Sequence, residues 1–456
     1  MASTVLAGCM SAQSRKHIWD LLRLQLKHAK REQTNFEAPA LLGACSCQRS
    51  AKQPTAPQHS EYESLDDDVP DLTADCALDD DDEDIEILED ATFEAASQRH
   101  MAAFNENFEA FLALELAAVA ADASGTCSPQ LQSCASFTWL VRSALKSGGI
   151  DVQLIVPHIK VFAELCRFQH DVLTKATLNI MLTALRDQSA STSHYNTIVS
   201  SFIASDALQS SMAIQARSLV DYVTNDDCAI PLESGTPASR LILTRKCVLL
   251  MLRCTELGLS ALPAASHILP PVLVSALSNL QTCFERNGLN LEEAKGKSWL
   301  MRLVRDQDDV MIDALRMITV CHTALTASPA LVQQIPLLKY FMSEFNIHAL
   351  FFEFCSLVAF DHLVLLDLVM SSETSFLEYL LIYARAAAAN PVDLQQSLMV
   401  FAAEHGDEQV AQKFKGTITS LLETLSRLEA SGVFPFPVQP LIRRLTALVE
   451  VINSLT

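Results

Sequence analysis

The sequence predicts an all-α fold, and three observations carry that prediction. Of 456 residues, 66 are Leu and only 12 are Gly, where an average chain has ~7% Gly. Apolar residues recur at i, i+3, i+4 and i+7 in one segment after another, which lines one face of a helix. No segment sustains the period-two alternation of a half-buried strand. Scarce Gly also argues against a Gly-rich phosphate-binding α/β enzyme and against a turn-dense β protein.

Residues 1–33 form the first region. Ile18, Leu22 and Leu26 recur every four residues, with Lys16, Arg23, Lys27, Lys30 and Arg31 around them. This reads as a basic amphipathic helix that packs on its apolar side, with binding to an import receptor as the other reading. Residues 1–13 have no basic start followed by an apolar core, so no secretory leader is expected.

Residues 34–98 are expected to be a disordered acidic linker. The net charge of the chain is −21, yet residues 61–94 alone hold 17 Asp/Glu and no Lys or Arg. The remainder is nearly balanced, with 37 acids against 33 bases. Like charges this dense repel and cannot bury enough apolar surface to order the chain. Such a tract solubilises, or it docks a basic protein.

From residue 99 the helical period dominates. It appears at Leu178, Met181, Leu182 and Leu185, and at Cys247, Leu250, Met251 and Cys254. It returns at Met311, Ala314, Leu315 and Ile318, at Phe376, Tyr379, Leu380 and Tyr383, and at Ile418, Leu421, Leu422 and Leu425. Breaks fall at Gly148-Gly149, at the loop Asp226–Ser239, at Asn287-Gly288 with the charged loop Glu292–Lys297, and at Asn390-Pro391. Residues 130–456 should hold about 14–16 helices, or about seven or eight pairs of about 40–47 residues. That is the unit of an armadillo/HEAT-like helical-repeat solenoid, divided here into residues 99–290 and 291–456. The longest uncharged run, Leu257–Phe284, contains Pro263, Pro270 and Pro271. It reads as two buried helical pieces, and no membrane span is expected.

The 13 cysteines include no CxxC pair. Cys45 and Cys47 with His59 or Cys76 form only a weak zinc pattern. Reduced thiols in the cytoplasm and nucleus are the expectation, with Cys247 and Cys254 as small buried residues. No metal or cofactor is expected. Nucleic-acid binding is disfavoured, because residues 95–456 carry 34 acids against 25 bases; the pairs Arg302/Arg305 and Arg443/Arg444 offer at most local grip points.

The sequence contains no nucleophile elbow, P-loop, dinucleotide fingerprint or HExxH motif. Phe360-Asp361-His362, with Asp367 and Ser371-Ser372-Glu373, is the best catalytic-looking cluster, and it raises the reading of a hydrolase around His362. Capping explains the same residues more simply. Asp361 suits an N-cap, Ser375 with Glu378 suits a capping box, and Asp308 and Asp309 open a helix at the positive end of its dipole. Asp367 lies inside an apolar helix, so it should face a groove or meet a cation. If exposed, Asp308, Asp309, Asp361, His362, Glu373 and Glu378 are the candidate partner-binding positions.

A resemblance adds to this. Ser298-Trp299-Leu300-Met301-Arg302-Leu303 and Asp306–Leu315 are followed by His348-Ala349-Leu350-Phe351. Then come Phe360-Asp361-His362-Leu363-Val364-Leu365-Leu366-Asp367 and Ser371-Ser372-Glu373-Thr374-Ser375-Phe376-Leu377-Glu378-Tyr379. Over about 298–390 these blocks resemble the carboxy-terminal half of the Lines homologue family. The resemblance implies a non-enzymatic helical regulator of Wnt/Wingless-type developmental signalling in cytoplasm and nucleus. Its partners would be proteins, transcriptional or signalling regulators. It carries over no site residues. The rival expectations are an acidic-tract chaperone or adaptor for basic proteins, and the hydrolase around His362.

Overall fold

The computed structural model describes residues 11–13, 15–20, 22–23, 101–120, 128–166, 171–186, 195, 197–200 and 236–260. It also describes 271, 274–275, 277–278, 281–282 and, except for 372, 373, 408, 433 and 435, residues 299–455. The expected linker 34–98 and the residues Cys45, Cys47, His59 and Cys76 lie outside that set. Among the described residues the secondary structure is helical throughout, with no strand, as the composition predicts. The chain divides into two compact units, Met1–Leu154 and Ile155–Thr456.

In the first unit, residues 15–20 are helical and pack with α1 (Phe108–Ala120) and α2 (Pro129–Lys146). Trp19 meets Phe104, Phe111 and Phe137 edge-on, at centroid distances of 5.3–6.1 Å. Its indole N–H, the Arg15 Nε–H and the Ser133 hydroxyl all donate to Oε1 of the fully buried Glu115, at 2.9–3.0 Å. The sequence suggested a packing helix here, and it is one, but the buried side is a different one. Arg15 and Trp19 face inward while Ile18 is exposed, because Trp buries more area than Ile and its N–H finds an acceptor. Ser128 caps α2 by accepting from the Leu131 amide, and Pro129 follows at the position that lacks a useful N–H. The helix stops where expected, with Gly148 at φ +74°.

The short α3 (Val152–Ile155) leads into a 3₁₀ turn, Val156–His158, at the division between units. The second unit is built on a row of five helices. These are α5 (Asp171–Arg186, after the short α4, Ile159–Leu165), α6 (Thr236–Ser260), α8 (Asp308–Ala327, after α7, Trp299–Val304), α13 (Phe376–Ala389) and α16 (Gln439–Leu455). Each packs on the next. The others, α9 (Pro329–Val332), α10 (Pro336–Glu344), α11 (Ile347–Leu357), α12 (His362–Met370), α14 (Pro391–His405) and α15 (Val410–Ala430), connect and flank the row. From Pro129 onward fifteen α-helices have described bounds, and residues 197–200 and 281–282 are helical as well.

Polar rungs set the register of the row. Arg245 of α6 donates through Nη2 to both carboxylate oxygens of Asp306, just before α8, at 2.6 and 2.8 Å, across 61 positions. Arg316 of α8 reaches back to Glu256 of α6, 60 positions away, and forward to Glu378 of α13, 62 positions away. Ser375, before α13, donates to Asp313 of α8, again across 62 positions. Two rungs with nearly the same offset join each of these pairs, so α6, α8 and α13 run parallel. Members of the row begin 63–72 residues apart. The helical-repeat solenoid is therefore present, with a longer step than the 40–47 residues expected. Helix lengths alone hid this, because several connecting helices sit between successive members.

The apolar stripes read from the sequence form the core. All four positions of the stripes beginning at Cys247, Met311 and Phe376 are buried, whereas Leu182 and Leu422 are only half-buried. Cys247 and Cys254 are buried as expected, and burial pushes both thiols up to about 12. Phe351, Phe352 and Phe354 of α11 meet Phe376, Tyr379, Tyr383, Phe401 and Phe414 edge-on or tilted, each burial contributing about 1.5–3 kcal/mol before entropy. By length and composition α8 could cross a membrane; here Met311, Ile312, Leu315 and Ile318 are at most 3% exposed, against α6, α11 and α13. Pro237 lies in the first turn of α6, so the loop expected to run to Ser239 ends earlier, at a position that proline tolerates.

Glu256 is the most exacting of the rungs. It is 4% exposed and holds both Arg253 and Arg316, the latter at 2.7 Å. Glu256→Ala leaves the largely buried Arg253 guanidinium without its carboxylate and Arg316 with only the longer contact to Glu378. It should lower the free energy of unfolding by about 3–5 kcal/mol, read from urea denaturation.

Candidate interaction surface

The α11–α12 corner places Asp361, His362 and Asp367 on one helix and its cap. After Leu357 the chain turns through Val358, Ala359 and Phe360, and α12 leaves at 104° to α11. Ala359 and Phe360 have φ of +53° and +57°. This left-handed region is costly for a bulky residue and is usually given to Gly. Every amide in the turn is satisfied. The Phe360 N–H donates to the Cys355 carbonyl at 2.7 Å and the Asp361 N–H to Val358. Thr417 of α15 donates its hydroxyl to the Phe360 carbonyl at 2.7 Å, clamping the strained bend from outside.

Asp361 then caps α12, its Oδ1 accepting from the Leu363 amide at 2.8 Å. The helix, HLVLLDLVM, is apolar on nearly every side, which in a soluble fold implies full burial. Only Leu365, Leu366 and Val369 are buried. Leu363 is 52% exposed, Val364 38% and Met370 39%, and Leu357 at the end of α11 is 49% exposed. Leu363, Asp367 and Met370 follow i, i+4, i+7 and so share one stripe. Asp367 is exposed within it, facing neither an enclosed groove nor a cation among the ion pairs described. The sequence marks the helix as apolar with one carboxylate that needs a groove or a cation; nothing in its pattern separates the open side from the packed one.

The remaining candidates fall elsewhere. Asp308 and Asp309 are exposed in the first turn of α8. Glu378 is exposed beside Arg316, at 3.4 Å. The capping box expected at Ser375 and Glu378 does not form: Ser375 gives its hydroxyl to Asp313 at 2.7 Å, and makes no side-chain cap to α13. An acceptor on the neighbouring row helix outcompetes the local amide. Glu373 and Ser372 lie outside the described residues. Arg305, Arg443 and Arg444 are exposed.

His362 opens α12, a third exposed, with its Nδ1 3.9 Å from Asp361 Oδ1. That oxygen already accepts the Leu363 amide. Ser371 ends the same helix, one helix length away, or roughly 13 Å. The groups that a Ser–His–Asp site must gather are thus spread along α12, not brought to one point.

A polar cluster that the sequence reading missed ties α8, α11, α13 and α14 together. Buried His348 places Nδ1 3.4 Å from the Tyr383 hydroxyl and Nε2 3.5 Å from Asp393 Oδ2. The hydrogen bond from His348 holds the Asp393 carboxyl below its usual range. Burial lowers the affinity of nearby His322 for its proton; Asp393 opposes this and His348 adds to it. No motif spacing links positions 322, 348, 383 and 393; only the helix row does. Among the described residues no group of three metal-ligand side chains is placed to hold an ion.

Comparison with known proteins then bears on the matched region. The family model described as Lines N-terminus matches residues 230–390, the span from α6 to α13. "Protein Lines homolog 1" of Homo sapiens is 36% identical over 93 residues, and that of Mus musculus is 38% identical over 95. Each alignment covers 19% of this chain and 12% of the relative. No solved structure matches. The resemblance to the Lines family is therefore shown over this span. It is the family's N-terminus that matches, not the carboxy-terminal half, and the match begins well before residue 298.

Two measurements check this geometry. Ala359→Gly removes the left-handed penalty at a site with no side chain to lose beyond Cβ, and should raise stability by about 0.5–1 kcal/mol in urea unfolding. The lowered His322 pKa means that the unfolded chain binds that proton more readily. Stability from this group is complete above the unfolded value of about 6.5 and is lost as pH falls through the folded value. Asp393, depressed as a carboxylate, acts only below about pH 4. Thermal midpoints followed from pH 8 to pH 5 should therefore fall less steeply in His322→Gln than in the unaltered protein.

Proposed function

We propose that this chain, through the Lines N-terminus segment at residues 230–390, is a non-enzymatic helical scaffold acting by protein–protein binding. Its setting would be Wnt/Wingless-type developmental signalling in cytoplasm and nucleus. The observation that supports the reading is that the matched segment coincides with the middle of the helix row and ends on α12 and α13. That is where an apolar helix with an open side is displayed. A stacked helix row offers a long, stiff flank on which a partner can be held. The chain matches only a small share of the length of its relatives, so a wider role in them is not carried across.

The experiment is silencing of the endogenous protein in cells bearing a Wnt-responsive transcription reporter, followed by re-expression of the full chain. Silencing should shift the dose–response of the reporter to Wnt ligand, and re-expression should restore it. A reporter indifferent to silencing across the whole dose range would sink the signalling reading.

A further inference from the structure

The open side of α12 is the place where the molecule leaves most unexplained. Leu363, Val364 and Met370 are partly in water with Leu357 beside them, and the bend that presents them is held in a strained conformation on two non-glycine residues. The open side itself carries carboxylates, Asp361 and Asp367, both exposed; a lysine of the packed α15, Lys413, is paired with Asp407 at 2.6 Å. On α12 the ionisable groups are His362 and Asp367, with Asp361 as the cap. We propose that this side of α12, with Leu357, is a docking surface for a basic amphipathic helix of a partner protein.

The inference rests on the scaffold reading and adds the chemistry of the partner. Exposed Leu363, Val364 and Met370, with Leu357 beside them, are covered by the apolar stripe of a second helix, ridge into groove. Asp361 just before the exposed side and Asp367 within it favour cations on the incoming helix, and steer its approach. A second copy of this chain fits less well. It would set Asp361 and Asp367 against their own equivalents, and like charges across an interface are costly. An anionic membrane surface is disfavoured by the same carboxylates. The α11–α12 bend contributes by stiffness: Thr417 and the Cys355 carbonyl fix it, so the stripe is presented without an ordering cost on this side.

The test uses the full chain and a fluorescein-labelled model peptide of about 18 residues, with Leu at i, i+3, i+4, i+7 and Lys elsewhere. Binding is followed by fluorescence anisotropy at physiological ionic strength. Leu363→Lys/Asp367→Lys should weaken binding by about tenfold or more. The control Val392→Lys/Met399→Lys, on the exposed side of α14, should leave it within about twofold. Circular dichroism and thermal midpoints of both variants should match the unaltered protein, since all four positions are solvent-exposed. A scrambled peptide of the same composition should bind more weakly than the amphipathic one. Equal affinity for the two peptides, or unchanged affinity in the α12 variant, overturns the proposal and assigns the binding to diffuse acidity such as residues 61–94. A dimer in sedimentation velocity that the α12 variant dissolves overturns it in favour of self-association. If the α12 variant loses the peptide but still restores the reporter, the surface stands and its link to signalling falls.

Discussion

Registration of successive row helices is the constraint on which the second unit depends. α6, α8 and α13 bury apolar faces against one another, and apolar faces alone tolerate sliding. The rungs remove that freedom. Arg245 with Asp306, Arg316 between Glu256 and Glu378, and Ser375 with Asp313 each join positions 60–62 residues apart. A buried ion pair is weak evidence of net stability, because desolvation offsets much of its attraction. Its better-supported role is to specify one arrangement among several, and the nearly constant offset fits that role. The hydrophobic contacts make the stack stable; the rungs decide which stack forms.

Much of this fold was legible in the sequence, and the parts that were not have a common cause. The stripes at Cys247, Met311 and Phe376 are wholly buried because helical periodicity reports directly on which face meets a core. Caps set by neighbours in sequence were also legible, as Asp361 and Gly148 show. Features decided by another helix were not. Ser375 carries the local signature of a capping box, yet it serves Asp313. Residues 15–20 turn Trp19 inward instead of Ile18, because Glu115, nearly a hundred positions away, waits for the indole N–H. The step of the row escaped for the same reason, since it is a distance between partners and not a property of any one helix.

The candidate surface shows the limit most clearly. Its cap and its acids were singled out from the sequence, but as end-of-helix chemistry. Its exposed apolar residues had no signal, because HLVLLDLVM gives no sign of which side will lack a neighbour. Only the packing of α12 on α13 and α15 shows that Leu365, Leu366 and Val369 are covered while Leu363, Val364 and Met370 are not. The left-handed pair Ala359-Phe360 had no sequence signal either, since glycine is the residue by which such a bend is normally recognised.

The composition of these helices has a further consequence. From residue 340 to residue 412 there is no lysine, so α11, α12, α13 and α14 offer no side-chain amine to acylating or ubiquitin-conjugating enzymes. Covalent marks of that kind must be written on other parts of the chain, and this stretch keeps its electrostatic character whatever the modification state of the rest.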